Sequence, residues 1–261
     1  MIIDGRALAK EVLARTKARA QILQRRPNVL VYVASDETPA TRSYLKIKAK
    51  SAEEAGCDFE ETKSLTFSPR ADAIIVQLPL PRGLNTAEVL NSIPIHQDAD
   101  VLSNAVRAKF ERGDVDALLP PVVAAIQKIF ALGNIETKHK WAVIIGDGWL
   151  VGKPVATWLK LQGANVEVVT SKTKDLSGEL RTADIVVSGA GSPHLIKPDM
   201  LKNGVVLIDA GTSESGGTLA GDADPTCADK CSIFTPVPGG VGPLAVACLF
   251  ENVVTLAERK I

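Results

Sequence analysis

Apolar positions along the chain follow two spacings, one typical of helices and one typical of short buried strands. Helical spacing predicts a helix over residues 4–24, opening at Asp4 as its N-cap, and a second over 40–55 that stops at Gly56. Helices alternating with β-branched runs indicate an α/β fold with parallel sheets. The predicted strands are 28–34, 58–65, 71–77, 141–145, 165–169, 184–188 and 205–209, and the further helices are 121–132, 153–163 and 243–259.

The link between the predicted strands 58–65 and 71–77 is short, at residues 66–70. A parallel crossover with a helix needs about a dozen residues or more, so this link cannot hold a covering helix. We expect that the two strands form a hairpin or that the first of them is irregular.

Composition narrows the class of protein. The chain has 261 residues, of which 46% are hydrophobic and 23% charged, which suits a globular protein of one large or two ordinary domains. Basic and acidic residues both number 30, so we expect neither a nucleic acid nor an anionic membrane as partner. Residues 1–19 lack the apolar core of a signal peptide, and no apolar stretch approaches the roughly 18 residues of a membrane span. A cytoplasmic protein is expected.

The four cysteines and three histidines suggest no metal site. Cys227 and Cys231 lie four residues apart, but no second pair of ligands accompanies them. Ordinary reduced cysteines are therefore favoured over a zinc site or a disulfide framework.

A glycine-rich turn joins a predicted strand to a predicted helix between residues 145 and 153. Gly146 and Gly148 permit a tight turn, and Gly152 permits close approach at the start of the helix. The helix N-terminus would offer backbone N–H groups to a pyrophosphate. The turn therefore predicts a dinucleotide site, although a tight turn without a ligand has the same pattern.

The end of the following strand bears on which dinucleotide binds. An NAD site usually has an acid here that accepts from the ribose, but this chain has Thr170, Ser171, Lys172 and Thr173. Hydroxyls and an ammonium favour the 2′-phosphate of NADP, whereas Asp147 in the glycine turn would repel it. We expect NADP as the cofactor, with NAD possible.

Several segments together resemble the bifunctional methylenetetrahydrofolate dehydrogenase/cyclohydrolase family. The two longest strings are Gln77-Leu78-Pro79-Leu80-Pro81 and the run from Thr235 to Pro243. Supporting segments are 39–44 with Lys48, 98–100, 151–154 and 221–224. The resemblance covers nearly the whole chain and implies a tetrahydrofolate substrate, one-carbon chemistry and a homodimer.

The resemblance also implies roles for individual residues. Lys48 corresponds to the family's catalytic lysine, Tyr44 lies one helical turn earlier, and Gln77 would hydrogen-bond Lys48 and position it. Asp100 corresponds to the acid that anchors the pterin. The predicted catalytic residues are thus Tyr44, Lys48, Gln77 and Asp100; Leu78, Pro236, Gly239 and Gly240 complete the predicted substrate contacts; and the predicted cofactor contacts are Gly146, Asp147, Gly148, Gly152, Ser171, Lys172, Thr173, Gly191 and Thr212.

The implied architecture has two domains. Residues 1–119 and 243–261 would form the catalytic, folate-binding domain, with the last helix packing back onto it. Residues 120–242 would form a Rossmann-like NAD(P)-binding domain with a parallel sheet.

The chain departs from the family at several places. The short link 66–70 replaces a helix, so the geometry of a dimer is open. Gly146-Asp147-Gly148 stands where the family has Gly-Arg-Ser, and Ala117-Leu118-Leu119-Pro120 where it has Pro-Cys-Thr-Pro. Val101 follows Asp100 where the family has glycine, and residues 209–213 also differ. Because most changes fall on the cofactor side, we expect the cyclohydrolase to be retained more securely than the dehydrogenase.

Other interpretations stay open at this point. Lys46, Lys48 and Lys50 could form one solvated helical face, and Asp98 and Asp100 could be ordinary loop acids. The protein could be a cyclohydrolase only, or a relative that binds folate or a nucleotide without turnover. It could also be a two-domain dehydrogenase of the shikimate or amino-acid type.

Overall fold

The structure is a computed structural model that describes residues 1–34, 38–64, 68–215 and 218–260. Residue 65, the end of one predicted strand, and residues 66 and 67 of the predicted link lie outside the described residues. The chain divides into two compact units. The small-sheet unit comprises Ala9–Pro121 and Val246–Ile261, and the large-sheet unit comprises Met1–Leu8 and Val122–Ala245.

The small-sheet unit has three parallel strands in the order β2-β1-β3. The central strand is buried along most of its length because the apolar run at 28–32 packs against helices. The elements are α1 (Gly5–Ile22), β1 (Asn28–Tyr32), α2 (Pro39–Glu54), β2 (Asp58–Thr62), β3 (Ala73–Val76), α3 (Thr86–Asn91) and α4 (Asn104–Arg112).

Both predictions for the link between β2 and β3 were wrong. Each strand pairs in parallel with β1, on opposite sides of it, so the two do not form a hairpin. β2 is also regular, since five successive residues stay in register with β1. Because both strands run in the same direction, the connection has to return along the strand length, about 15 Å, and cross two strand spacings, about 10 Å. The chain between Thr62 and Ala73 is long enough for this without a helix.

The large-sheet unit has five parallel strands in the order β10-β7-β6-β4-β5. Aliphatic side chains from the strands form a core with Phe234 and Leu180. A short antiparallel pair, β8 with β9, lies outside this sheet. The elements are α5 (Pro121–Leu132), β4 (Trp141–Ile145), α6 (Gly152–Leu161), β5 (Asn165–Val169), α7 (Leu176–Thr182), β6 (Ile185–Ser188), β7 (Val205–Asp209), β8 (Ser213–Ser215), β9 (Thr218–Ala220), β10 (Cys231–Thr235) and α8 (Val241–Glu258).

The predicted two-domain α/β architecture with parallel sheets is confirmed. Asp4 caps α1 as predicted, since its carboxylate accepts from the backbone N–H groups of Arg6 and Ala7 at 3.0 Å each. Gly56 adopts a φ of 76° just after α2, which explains why that helix ends there.

The closing helix α8 corrects one expectation. By length and mean hydropathy it is apolar enough to cross a membrane, contrary to the sequence estimate. Most of its residues are buried within the protein, and the Asn252 side chain donates to the backbone oxygens of Ala99 and Leu119 at 2.9 Å each. A core helix has this composition because it is covered on most sides, and α8 packs onto the small-sheet unit as predicted.

Candidate active site

Helix α2 carries the first two predicted catalytic residues on one face. Thr38 caps the helix by accepting from the backbone N–H of Thr41 at 3.2 Å. Tyr44 and Lys48 follow one turn apart, with Tyr44 39% exposed. Lys46 and Lys50 are exposed whereas Lys48 is half-buried, so the interpretation of all three lysines as one solvated face was wrong for Lys48.

Gln77 holds the Lys48 side chain. It follows β3 directly and is buried. Its Oε1 accepts from Lys48 Nζ at 2.9 Å, and its Nε2 donates to the backbone oxygen of Leu78 at 2.7 Å. Because the amide is bonded at both ends, its oxygen faces the lysine in a fixed direction, and the Leu78–Pro79 peptide bond beside it is cis.

The segment around Asp100 is fixed by its neighbours. Asp98 forms a bridge with Ile74 of β3, and its buried carboxylate accepts from the backbone N–H groups of Leu102 and Ser103 at 3.0 and 2.7 Å. Asp98 is therefore a structural acid at the start of α4. In the described part of the chain the Asp100 carboxylate accepts no hydrogen bond, so it is free to bind a ligand.

Val101, directly after Asp100, has a φ of 58°. This left-handed conformation is unfavourable for a β-branched residue, and glycine adopts it without cost. Val101 therefore holds a backbone conformation that suits the glycine expected here from the family resemblance, and the role of Asp100 stays a prediction.

Lys48 and Asp100 influence each other's titration. Burial lowers the pKa of the Lys48 ammonium, and the nearby Asp100 carboxylate opposes this. Burial raises the pKa of Asp100; the Lys48 charge lowers it and the Asp98 charge raises it further. A lysine of lowered pKa supplies neutral amine at lower pH than an exposed lysine does, which suits a general base.

In the large-sheet unit, the predicted cofactor residues lie at the carboxyl ends of neighbouring strands. The turn after β4 is closely packed: a side chain on Gly152 would overlap the backbone oxygen of Gly146, which itself has a φ of 96°. Gly152 also begins α6, so its N-terminal N–H groups lie at this edge. Asp147 and Gly148 are exposed in the turn.

The polar segment after β5 forms a compact turn beside it. Thr173 Oγ1 accepts from the backbone N–H of Thr170 at 3.1 Å, and Thr170 Oγ1 accepts from that of Lys172 at 3.3 Å. Ser171 and Lys172 are exposed. A turn in which Gly146 and Gly152 leave no room for a side chain, together with a solvent-facing hydroxyl and ammonium, fits a phosphorylated dinucleotide.

The loops after β6 and β7 carry the remaining predicted cofactor residues. Gly191, with a φ of 66°, and Thr212 are both exposed at this edge. Beneath them lie two buried acids that the sequence analysis did not identify, Asp209 and Asp222. Side chains on Gly211 and Gly221 would overlap these acids, so glycines flanking an aspartate were the available signal.

The Pro236–Gly242 loop packs against the start of the chain. A side chain on Gly5 would overlap the backbone of Gly240, and Gly239 has a φ of 109°. Gly240 N–H donates to the Pro236 oxygen at 2.7 Å. The contacts of Pro236, Gly239 and Gly240 with substrate stay predictions.

Comparison with known proteins accounts for both units. Residues 3–100 match the family model of the tetrahydrofolate dehydrogenase/cyclohydrolase catalytic domain, and residues 120–261 match that of its NAD(P)-binding domain. The chain belongs to the tetrahydrofolate dehydrogenase/cyclohydrolase family. The alternative of a shikimate-type or amino-acid dehydrogenase is therefore wrong.

Known members of the family are similar to this chain over nearly its whole length. The bifunctional protein FolD of Wolinella succinogenes is 36% identical over 99% of this chain and 97% of its own length. The crystal structure of the bifunctional FolD of Campylobacter jejuni has a TM-score of 0.95 at 33% identity, covering 100% of this chain and 99% of that one. The Trypanosoma brucei FolD, solved with NADP and an inhibitor, has a TM-score of 0.93 at 29% identity, covering 100% and 98%.

Proposed function

We propose that the chain interconverts methylene-, methenyl- and formyl-tetrahydrofolate as an NADP-linked dehydrogenase and a methenyl cyclohydrolase. The observation that carries this proposal is the half-buried Lys48 ammonium, which donates a hydrogen bond to Gln77 at 2.9 Å and lies near the Asp100 carboxylate, for which the described residues supply no hydrogen-bond donor. Lys48 as a base and Asp100 as a hydrogen-bond acceptor suit a cationic folate substrate. The family membership of the chain agrees with this proposal.

Lys48 is the proposed base of the cyclohydrolase step. Water adds to the carbon of the methenyl bridge, its oxygen forms the new C–O bond, and neutral Lys48 Nζ accepts the released proton. In the following step the C–N5 bond breaks, the hydroxyl loses a proton and N5 gains one. The proton taken up by Lys48 then returns to solvent, so the reaction consumes water and releases one proton.

Tyr44, Gln77 and Asp100 are proposed to orient the folate. Asp100 can accept two hydrogen bonds from the aminopyrimidine edge of the pterin, because its carboxylate has no partner among the described residues. Tyr44 lies on the same helical face as Lys48, where its ring can stack on the substrate. Leu78 is proposed to line the same site. Positioning is the main requirement of the dehydrogenase step, which needs the methylene carbon held at the cofactor.

NADP is the proposed cofactor, and when bound its nicotinamide would supply the acceptor for a hydride from the methylene carbon. The Gly146–Gly152 turn and the N-terminus of α6 would hold its pyrophosphate, and Ser171, Lys172 and Thr173 its 2′-phosphate. Asp147 is exposed in this turn, so its side chain can turn to solvent and away from a phosphate.

One absorbance assay tests the whole proposal. Methenyl-tetrahydrofolate is followed first without cofactor, and methylene-tetrahydrofolate is then followed with NADP and with NAD. Without cofactor we expect the absorbance of methenyl-tetrahydrofolate to decay, which reports the cyclohydrolase. With methylene-tetrahydrofolate and NADP we expect the absorbance to increase, which reports the dehydrogenase. No change in either arm would overturn the proposal, and decay alone would restrict it to the cyclohydrolase.

We further propose that the protein is a cytoplasmic homodimer with residues 1–119 and 243–261 as its catalytic domain. Full-length relatives from bacteria support the location, and the absence of a basic charge excess agrees with a small-molecule substrate. Light scattering at micromolar concentration tests the dimer: a mass of one chain, 27.6 kDa, would contradict it.

A further inference from the structure

Asp222 is a buried acid that organises a whole loop of the large-sheet unit. Its Oδ2 accepts from Ser188 Oγ at 2.6 Å and from the backbone N–H groups of Ala190 and Gly191 at 2.8 and 3.3 Å. Its Oδ1 accepts from the N–H of Ser192 at 2.7 Å. Three successive N–H groups of the loop after β6 therefore turn inward towards one carboxylate.

A carboxylate is the side chain that this arrangement requires. It accepts at both oxygens and donates at neither, so it can satisfy four donors at once. Burying an anion is unfavourable unless it is paired, and no lysine or arginine of the described ranges pairs with Asp222. The four donors alone compensate its burial, so the shape of the loop depends on them.

The loop that Asp222 shapes lies against the glycine turn. A side chain on Gly189 would overlap Val151 of the turn, and a Cβ on Gly146 would come within 3.1 Å of the Gly189 oxygen. On its outer side Ala190, Gly191 and Ser192 are exposed. The loop thus presents a surface at the carboxyl edge of the sheet, where ligands of such sheets bind.

Strand order indicates which part of the cofactor meets this loop. In the order β10-β7-β6-β4-β5, the proposed pyrophosphate site follows β4 and the proposed 2′-phosphate site follows β5. The dinucleotide therefore has to extend from β4 in the opposite direction, over β6. Its nicotinamide half then lies on the loop of residues 190–192.

We propose that Asp222 is a positioning residue for the nicotinamide half of the cofactor, acting through the backbone of residues 190–192. This inference rests on the proposed NADP site. Asp222 would act on the nicotinamide half, which NADP and NAD share, so it should affect the binding of both cofactors equally. An Asp222→Asn variant replaces an acceptor by a donor that faces backbone N–H groups, and the loop loses its fixed shape.

The test measures the binding of two ligands to the folded protein. NADP reaches both halves of the site, whereas adenosine 2′,5′-bisphosphate reaches only the β4 and β5 end. For D222N we expect the binding of NADP to be about tenfold weaker, and that of NAD to be weaker by the same factor. The binding of adenosine 2′,5′-bisphosphate and the cyclohydrolase rate without cofactor should both be unchanged. A general structural defect would weaken all four. Asp224→Asn is a matched change two residues away, at the half-buried N-cap of the short helical turn Pro225–Lys230, and it should leave all four unchanged.

Ser188→Ala is a milder second variant, because it removes one donor and leaves the carboxylate. We expect NADP binding about threefold weaker, the effect of one lost hydrogen bond. Wild-type affinity for NADP in folded D222N overturns the inference, and if D222N does not fold, wild-type affinity in S188A overturns it. Wild-type protein that binds no NADP overturns the proposed dehydrogenase as well, which separates the two failures.

Discussion

Lys48 Nζ donates to Gln77 Oε1 at 2.9 Å, although 29 residues separate the two in the chain. The end of β3, which Gln77 follows, and the helix that carries Lys48 are thereby joined at the atoms proposed to do the chemistry. Since Gln77 Nε2 is itself bonded to the Leu78 oxygen, the amide cannot rotate to present a donor to the ammonium. The lysine is therefore held with its nitrogen in one place.

Replacement of Lys48 by arginine should abolish the cyclohydrolase. Arginine stays protonated at all accessible pH values and cannot accept a proton from water. We expect a rate lower by about 10²- to 10⁴-fold, the usual contribution of a general base. The decay of methenyl-tetrahydrofolate measures it. Lys46→Arg on the exposed face of α2 is the control, and an active K48R enzyme would contradict the proposed role.

Gln77→Glu should move the pH dependence of the cyclohydrolase. A carboxylate beside Lys48 stabilises the ammonium, so the pKa of Lys48 rises from its lowered value. The rate increases with pH as the neutral amine forms, and this ascending limb should shift upward by about one pH unit. Gln77→Ala, which adds no charge, should lower the rate through lost orientation. A pH profile identical to wild type in Q77E would show that Lys48 does not titrate in the reaction.

Lys172→Ala should weaken NADP binding and leave NAD unchanged. The ammonium is exposed at the end of β5, where the 2′-phosphate is proposed to bind. Loss of one charge-assisted contact at an exposed site should raise the KM for NADP about fivefold. Initial rates with each cofactor measure this. Lys174→Ala, two residues further, is the matched control, and equal changes for both cofactors would place the 2′-phosphate elsewhere.

At position 101 a glycine variant should be more stable than an alanine variant, which is the reverse of the usual order. The φ of 58° at Val101 suits glycine, whereas alanine keeps most of the strain and also loses the buried methyl groups. We expect Val101→Gly to have a free energy of unfolding about 1 kcal/mol higher than Val101→Ala. Urea denaturation of both variants decides the order, and a more stable alanine variant would mean that this backbone conformation is not strained.

Asp209 should make the protein less stable as pH rises through the acid range. Burial raises its pKa to about 6, the N–H groups of Ala223, Asp222 and Gly211 oppose this, and the Asp222 charge adds to it. Between about pH 4 and 6 the folded chain holds a proton that the unfolded chain has released, so the free energy of unfolding falls with pH. The full difference is up to roughly 3 kcal/mol.

Asp209→Asn removes this titration, because an amide does not ionise in the range. The difference in the free energy of unfolding between wild type and D209N should therefore decline between about pH 4 and 6 and be constant above. Other carboxylates titrate in both proteins and cancel. Denaturation curves at several pH values measure the difference, and parallel curves would show that Asp209 is ionised throughout.

The long elements could be predicted because their apolar periodicity is set by burial in the sheets. Helices α3, α4 and α7 were missed because they are short and mainly polar, so their apolar periodicity is weak. The hairpin expectation failed because the length rule applies to connections with a helix, whereas this one has none in its described part.

In the candidate site too, some relationships between residues could be predicted from the sequence and others could not. Tyr44 and Lys48 share a helical face and could be paired from spacing alone, whereas the bond from Lys48 to Gln77 joins elements that no local period relates. Asp98 and Asp100 look equivalent in the sequence, and only the tertiary structure shows that the first binds backbone N–H groups. Asp222 was missed because its donors lie 30 to 34 residues earlier.

The hydrogen bond of Asn252 links two parts of the small-sheet unit that are synthesised at different times. Asn252 bonds the backbone oxygen of Ala99, next to Asp100, from a helix at the far end of the chain. The small-sheet unit is interrupted by the whole segment 122–245, so a ribosome must finish that segment before the helix can emerge. We expect the large-sheet unit to be able to fold while the chain is still growing, whereas the peptide that carries Asp100 is secured only once α8 has been translated.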